Sequence, residues 1–229
     1  MRLLTSNTKL AKCQDYGYLA LGLQLLPGNK SGNEVCPNRG ACFATCLDTS
    51  GHGSWATVIE ARRKRTRLWF DEPARFSDML YGELAEIQGK AERLGLRPAV
   101  RLNTFSDIPW EHALPAVFLD HPRIQWYDYT KSMIRTVRSL DAYPYDWPLN
   151  YDLTYSWNED TSEVFCRTLM DLGGKIALVL RDGAKLPEGI KSWQCVDGDA
   201  HDATFLYPPR SVLLLKPKGR LVKKGTVFA

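Results

Sequence analysis

The feature that most constrains the fold is an alternation of short apolar runs with helix-like segments from about residue 98 onward. This alternation is typical of parallel βαβ units, because parallel strands need a long crossover connection. The predicted strands cover residues 18–26, 98–103, 124–128, 151–156, 175–180, 193–196 and 211–216. The predicted helices cover residues 55–70, 73–94, 110–119, 132–140 and 161–172. We therefore expect an α/β protein with about six to seven mostly parallel strands.

Polar side chains follow nearly every predicted strand. They are Asn103 and Asp107, Asp128 and Lys131, Asn158 and Glu159, Arg181, and the group Asp197, Asp199, His201 and Asp202. In a parallel barrel all carboxyl ends of the strands converge on one face, whereas an open sheet brings them together only at a switch point. So many polar strand ends favour the barrel. The sequence predicts a single partial (β/α) TIM-barrel-like domain over residues 1–229, with these side chains lining one pocket.

Three of the six cysteines fall within a single loop, Cys36-Pro37-Asn38-Arg39-Gly40-Ala41-Cys42-Phe43-Ala44-Thr45-Cys46. Thiolates that converge on one point bind a soft metal ion or an iron–sulfur cluster. The spacing Cys-x5-Cys-x3-Cys lacks the paired short knuckles of structural zinc sites and better suits the separated corners of a [4Fe-4S] cluster. Zinc is the alternative metal, and three packed core thiols are the alternative without a metal.

Three cysteine ligands leave one iron of a [4Fe-4S] cluster to another ligand. The candidates within the chain are His52, Cys13, Asp199 and His201, and a molecule from outside the chain is a further possibility. The loop follows the strand predicted at 18–26, so it should lie on the face where the polar strand ends meet. We therefore expect the metal site and the polar pocket to be neighbours.

The turn Asp197-Gly198-Asp199-Ala200-His201-Asp202 is the densest polar group in the chain. A histidine among carboxylates is readily tuned as an acid or a base, so Asp199 and His201 are candidate catalytic or metal-binding residues. Lys131 is a third candidate, either as a catalytic amine or as the holder of an anion. The alternatives are a turn with local hydrogen bonds and a surface ion pair.

Basic residues concentrate in Arg62-Arg63-Lys64-Arg65-Thr66-Arg67 and in the tail from Lys216 to Lys224. The first group lies on a predicted helix and is either a solvated face or a contact for nucleic-acid phosphates. The net charge of +4 is mild. No stretch approaches the ~20 apolar residues of a membrane helix, and the first residues do not resemble a signal peptide. We expect a soluble intracellular protein, where cysteines favour metal or redox chemistry over disulfides.

A three-cysteine loop after an early strand of a partial β/α barrel resembles the radical SAM enzymes. In that family three cysteines hold a [4Fe-4S] cluster and S-adenosylmethionine chelates the remaining iron. The family's loop is Cys-x3-Cys-x2-Cys, and this chain has no clear Gly-Gly-Glu-type strand for the methionine moiety. The resemblance therefore implies a cluster and a scaffold, and it does not extend to binding of S-adenosylmethionine.

A second resemblance covers most of the chain. It rests on Asn7-Thr8-Lys9-Leu10, Cys36-Pro37, Arg101-Leu102-Asn103, Ser106-Asp107-Ile108-Pro109-Trp110, Tyr127-Asp128-Tyr129-Thr130-Lys131 and the turn 197–202. These motifs are similar to those of a family of uncharacterised bacteriophage gene products of the mycobacteriophage type. The resemblance implies a phage protein that acts in the host cytoplasm, and it implies no particular activity.

Three functional hypotheses follow. The first is an iron–sulfur protein whose cluster has a redox or catalytic role and whose partner is a small molecule or an electron-transfer protein. The second is a nucleic-acid-binding or host-interaction protein stapled by zinc or a cluster, with residues 62–67 on the phosphates. The third is a metal-dependent hydrolase that uses Asp197, Asp199 and His201.

Overall fold

The strands of the protein form one eight-stranded sheet. The computed structural model describes residues 1–44, 46, 48, 50–141, 147–181, 185–187, 190 and 192–218. The strands are β1 (Leu4–Thr5), β2 (Tyr18–Leu23), β3 (Arg97–Arg101), β4 (Gln125–Thr130), β5 (Tyr151–Ser156), β6 (Lys175–Val179), β7 (Gln194–Asp197) and β8 (Ser211–Leu215). The prediction of an α/β protein with a mostly parallel sheet is confirmed. The short strand β1 was not predicted.

The central strands lie in chain order. Strands β2 to β6 are neighbours in sequence and in the sheet, and each pair is parallel. The order then changes, because β8 pairs with β6 and leaves β7 at the edge. At the other edge β1 pairs antiparallel with β2. Among the described strands the edges β1 and β7 do not pair with each other, so the sheet is not a closed barrel.

Helices connect most of the parallel strands. They are α1 (Thr8–Ala11), α2 (Ala56–Asp71), α3 (Pro73–Arg93), α4 (Trp110–Ala113), α5 (Pro115–Asp120), α6 (Met133–Leu140) and α7 (Glu163–Asp171). The single helix predicted over 110–119 is divided in two at Leu114, whose φ of −141° is not helical. Pro115 explains the break, because a proline has no N–H to donate and disfavours helical backbone at the residue before it.

The two faces of the sheet are covered differently. On the outer face α2, α3 and α5 pack on the first strands around Phe76, Trp110 and Trp126, and α6 and α7 pack on the later strands. On the inner face α1 and residues 203–205 cover Tyr18, Ala99 and Tyr127. Strands that are buried on both faces have nearly continuous apolar sequences, which is why short apolar runs predicted these strands. The inner face is therefore filled by the protein's own chain rather than by a ring of helices.

The basic helix α2 carries only part of its charge on the surface. Arg62 is 3% exposed and donates to the carbonyl oxygens of Asp48 and Gly53, while the buried Arg65 donates to Arg2 O at 2.6 Å. Lys64 and Arg67 are exposed. The basic run is thus partly structural, because helical spacing turns every third or fourth residue inward.

Two further expectations concern the rest of the chain. Residues 219–224 of the basic tail lie outside the described residues. Within the part of the chain that the structure describes, none of the helices has both the length and the apolar character needed to cross a bilayer.

Candidate functional site

The cysteine loop (residues 36–46) lies across the carboxyl ends of the first parallel strands. Its first thiol is held between two of these ends. Gly28 N, in the segment after β2, donates to Cys36 Sγ at 3.4 Å, and Cys36 Sγ donates to Phe105 O, after β3, at 3.3 Å. Asp107 N also donates to Val35 O at 2.7 Å. Backbone groups from two strand ends therefore fix the start of the loop.

Asp107 connects the loop to a third strand end. Its carboxylate accepts hydrogen bonds from Asn38 Nδ2 at 3.2 Å, Thr130 Oγ1 at 2.7 Å and Lys131 N at 3.1 Å. Arg135 Nη1 donates to it at 2.8 Å. Burial raises the pKa of Asp107, and the charge of Arg135 opposes the rise. Since every contact is a donor to a carboxylate oxygen, Asp107 acts as the anchor of the loop on β4.

Glu159 holds the middle of the loop from the end of β5. Its Oε1 accepts a hydrogen bond from Ala41 N, and that bond lowers the pKa of Glu159. The backbone of Gly40 has a φ of +47°, and a Cβ at this position would overlap the Glu159 carboxylate. Only glycine combines this backbone conformation with so close an approach. The close approach of the Glu159 carboxylate therefore explains why residue 40, between the first two cysteines, is a glycine.

The three loop thiols are half-buried, and burial changes their acidity. Burial raises the pKa of Cys36 to about 11 and that of Cys46 to about 12. The pKa of Cys42 is also raised by burial, against the opposing charge of Lys131. All three are neutral thiols at pH 7 without a metal, since a thiolate in an apolar site lacks solvation.

The described geometry brings two of the thiols together and places the third elsewhere in the loop. Cys36 and Cys42 lie close enough for the charge of one to raise the pKa of the other. The charged groups around Cys46 are instead Asp48, Lys30 and Arg62. Within the described residues, no group of three or more His, Cys, Asp and Glu side chains is arranged to hold a metal ion. A metal centre here requires Cys46 to turn toward the other two thiols.

Lys131 lies beside the loop at the end of β4. Its ammonium donates to Trp157 O at 3.2 Å and to Ser156 Oγ at 3.4 Å. Both acceptors are neutral, and the charge of Lys131 acts on Cys42 and on Glu159. The lysine is therefore a cation directed at the loop rather than the partner in an ion pair that the sequence left open.

Two other predicted pocket residues, Asn103 and Asp128, hold the backbone at the carboxyl ends of β3 and β4. Asn103 Oδ1 accepts from Ser106 Oγ, Ile108 N and Trp110 Nε1 at 2.8 to 3.0 Å, so this amide shapes the turn that carries Asp107. Asp128 is unexposed, and its Oδ1 accepts from Asn103 N at 2.6 Å. Both side chains organise backbone, which is a structural role at the site.

The remaining candidates near the loop have separate surroundings. His52 is exposed and stacks on Trp55 with ring centroids 4.1 Å apart. Asn158 bonds Thr161 within the turn that leads to α7. Arg181 follows β6 by two residues. The described contacts of His52 and Asn158 are therefore with residues other than the loop thiols.

A second charged group lies on the inner face, which we call the inner-face cluster: Lys9, Arg101, Tyr127, Tyr129, Asp199, His201 and Asp202. Arg101 Nη1 donates to both oxygens of Asp202 at 3.1 Å, and Tyr127 OH donates to the same carboxylate at 3.2 Å. Burial acts to raise the pKa of Asp202, but Arg101 and Lys9 outweigh it and leave the pKa below its ordinary value. Asp202 is thus an ionised carboxylate inside the protein.

The other predicted members of the turn 197–202 are occupied separately. Asp197 Oδ1 accepts from Asp199 N at 2.9 Å, and the Asp199 carboxylate binds Lys218 Nζ at 2.6 Å. His201 stacks on Tyr207 with ring centroids 4.5 Å apart, and the ring of Tyr16 meets it at a tilt of 56° with centroids 4.2 Å apart. The three side chains do not converge as ligands of one ion. Cys13 belongs to this region as well, because Lys9 and Asp202 are its charged neighbours.

A cleft of about 410 Å³ lies at the opposite end of the sheet. Gln125, Tyr151 and Lys175, at the amino ends of β4, β5 and β6, contribute to its lining. Parallel sheets place their active sites at the carboxyl ends of the strands, so this cleft is not the candidate site.

Lys9, Arg101 and Asn38 are site residues that the sequence analysis, which looked only at the ends of strands, did not predict. Two of them lie in motifs that the sequence did display, Asn7-Thr8-Lys9-Leu10 and Arg101-Leu102-Asn103.

Comparison with known proteins gives one result. No curated protein and no solved structure matches this chain. The family model described as Gene product 88 matches residues 1–229, the whole chain. The chain belongs to the Gene product 88 family of bacteriophage gene products.

Proposed function

We propose that the cysteine loop binds a [4Fe-4S] cluster through Cys36, Cys42 and Cys46. The observation that carries the proposal is the position of the loop. The loop that carries the three thiols lies at the carboxyl ends of the parallel strands. Its residues Cys36, Asn38 and Ala41 contact residues that follow β2, β3 and β5. Asp107 links the loop to the end of β4 as well. Such a face is where parallel α/β proteins place their chemistry. The parallel order of β2 to β6 supports, as part of this proposal, a partial (β/α) barrel of the radical-SAM-like kind.

The donor set fits the cofactor. Three sulfur ligands suit iron and exclude the hard ions that prefer oxygen. The thiols are buried and neutral without a metal, so loading would release protons and would compensate the burial that raises their pKa values. Gly28 N donates to Cys36 Sγ, and an N–H···S bond stabilises a bound thiolate.

The carboxylates near the loop are already committed. Asp107 accepts four hydrogen bonds, and Glu159 accepts from Ala41 N. Neither can bind iron without releasing the loop. Cys13, Asp199 and His201 lie in the inner-face region, so the fourth iron is left to His52 or to a ligand from outside the chain. A ligand from outside the chain favours a catalytic or substrate-binding role. When bound, such a cluster supplies electron transfer and a Lewis-acid iron; Lys131 would place a positive charge beside it.

Two further expectations belong to the same proposal. A phage protein working in the host cytoplasm meets a reducing compartment, in which the six thiols persist and a cluster can be assembled. Zinc in the same loop would be a structural staple instead. A zinc site predicts a colourless protein. It has no open iron that could bind a substrate, so it gives no support for a catalytic role.

The test is iron, acid-labile sulfide and zinc content, with a visible spectrum, on protein purified without oxygen. Cys36→Ser, Cys42→Ser and Cys46→Ser are compared with Cys195→Ser, whose thiol is exposed on β7. The expected result is about four irons and four sulfides per chain in the wild type and the control, and loss in the three loop variants. Circular dichroism checks that each variant is folded. Wild-type protein that is folded and metal-free would overturn the proposal, and stoichiometric zinc would replace it with the structural reading.

A further inference from the structure

In the inner-face cluster, several hydrogen-bond donors have no acceptor among the described residues. Lys9 Nζ lies 3.6 Å from Asp202 and 3.9 Å from Asp199, and among the described residues it donates no hydrogen bond. Arg101 Nε is buried without a hydrogen-bond partner. The carboxylates, in contrast, already accept hydrogen bonds. Asp202 accepts from Arg101 and Tyr127, and Asp199 accepts from Lys218 Nζ and Lys216 N.

Two hydroxyl groups add to this excess. Tyr129 OH and Thr104 Oγ1 are buried, and neither has a partner among the described residues. The fully buried Thr154, which pairs with Tyr129 across β4 and β5, has an unpartnered hydroxyl on the same face. Buried polar groups are normally satisfied, so several groups without a partner among the described residues point to a bound water, ion or ligand at this place.

These donors belong to one region. The Arg101 guanidinium lies 4.7 Å from the centre of the Tyr129 ring, and Lys9 Nζ lies 5.9 Å from the same centre. Thr104 sits over Gly22, which pairs with Arg101, and a Cβ at Gly22 would be only 2.5 Å from Thr104 Oγ1. The glycine therefore makes room for this hydroxyl beside the arginine strand.

We infer that the inner face binds an oxyanion, a phosphate or carboxylate group of a small molecule, through Lys9, Arg101, Tyr129 and Thr104. Ammonium, guanidinium and hydroxyl donors are the groups that recognise such an anion. Lys9, Arg101 and Lys218 face the carboxylates of Asp199 and Asp202. Arg101 Nε also lies 3.8 Å from Asp128 Oδ1, and burial raises the pKa of Asp128 to about 7, so below that pH one positive charge remains for a ligand. The side chain of Lys9 is 21% exposed, which gives the site an opening to solvent. This inference does not rest on the cysteine loop.

The test is a titration of the protein with inorganic phosphate and, separately, with acetate, followed by amide NMR shifts at matched ionic strength. Tyr129→Phe and Thr104→Val remove one hydroxyl each at nearly constant shape, and Lys9→Met removes the charge. Lys64→Met is the matched control, because Lys64 is exposed on α2 and does not belong to the inner-face cluster. The phosphate and acetate arms show which oxyanion the site prefers.

We expect saturable shifts with a Kd in the millimolar range or below, weakened roughly tenfold or more in each of the three site variants and unchanged in the control. The melting temperature of ligand-free Tyr129→Phe should not fall, because its hydroxyl has no partner to lose. A fall would assign the hydroxyl to a buried water and overturn the inference. It would also be overturned if neither anion gave a saturable shift in the wild type, or if the site variants bound as tightly as the control.

Discussion

Asp128 should make the protein less stable as the pH rises from 4 to 7. Its carboxylate is unexposed and accepts from Asn103 N at 2.6 Å and from Tyr151 OH at 2.8 Å. Burial raises its pKa from 3.8 to about 7, although Arg101 Nε lies 3.8 Å away and opposes the rise. The folded protein therefore holds a proton on Asp128 that the unfolded chain has already released.

The magnitude follows from proton linkage. A carboxylate whose pKa is raised in the folded state contributes its stability below the unfolded pKa and loses it as the pH rises through the folded pKa. Each pH unit between 3.8 and about 7 then costs about 1.4 kcal/mol, which gives about 4 kcal/mol over the interval. This is an upper figure, because the Arg101 side chain can move toward the ionised carboxylate and water can solvate it.

The assay is urea unfolding of the wild type and of Asp128→Asn from pH 4 to pH 8. The amide keeps an acceptor for Asn103 N but cannot titrate. We expect the free energy of unfolding of the variant, minus that of the wild type, to rise by up to about 4 kcal/mol across this range. Asp15→Asn, which makes the same chemical change at an exposed position, is the matched control. A difference that stays flat with pH would mean that Asp128 is ionised throughout and that the reasoning is wrong.

Three further predictions concern the loop and the basic helix. Arg62→Ala should lower the free energy of unfolding by about 3 kcal/mol, because it empties a buried site with three hydrogen bonds, whereas Lys64→Ala should change it by less than about 0.5 kcal/mol; equal effects in urea unfolding would contradict this. Glu159→Gln should speed hydrogen exchange at the loop N–H that its carboxylate accepts, and unchanged exchange would show that the contact carries no weight. The metal-free protein should lose stability as the pH rises from 9 to about 12, because Cys36 and Cys46 ionise more readily when unfolded; replacing both by Ser should make that decline smaller in urea unfolding, and a decline as steep as that of the wild type would refute the assignment.

Much of the fold was predictable because its signals are local. Each parallel strand is a short apolar run bounded by turn residues, and each connection carries helical spacing, so β2 to β6 could be read without knowing their neighbours. The change of order at β8 could not be read. Strand order depends on which edge offers free backbone groups and an uncovered apolar face, and the sequence of β8 does not encode either. Strand β1 was missed because two residues give no periodicity.

The candidate site divides in the same way. The sequence by itself determined that three thiols share one loop and that polar side chains follow the strands, since both are statements about neighbours along the chain. Only the tertiary structure decided what each polar residue does. Asp107 and Glu159 hold the loop, Asp128 fills the gap where β3 and β4 pair only at Ala99 and Val100, and Lys9 meets Arg101 across the inner face. A contact between residues distant in sequence depends on packing, and hydrogen bonds and charges act over a few ångströms in space, so no local pattern could assign these partners.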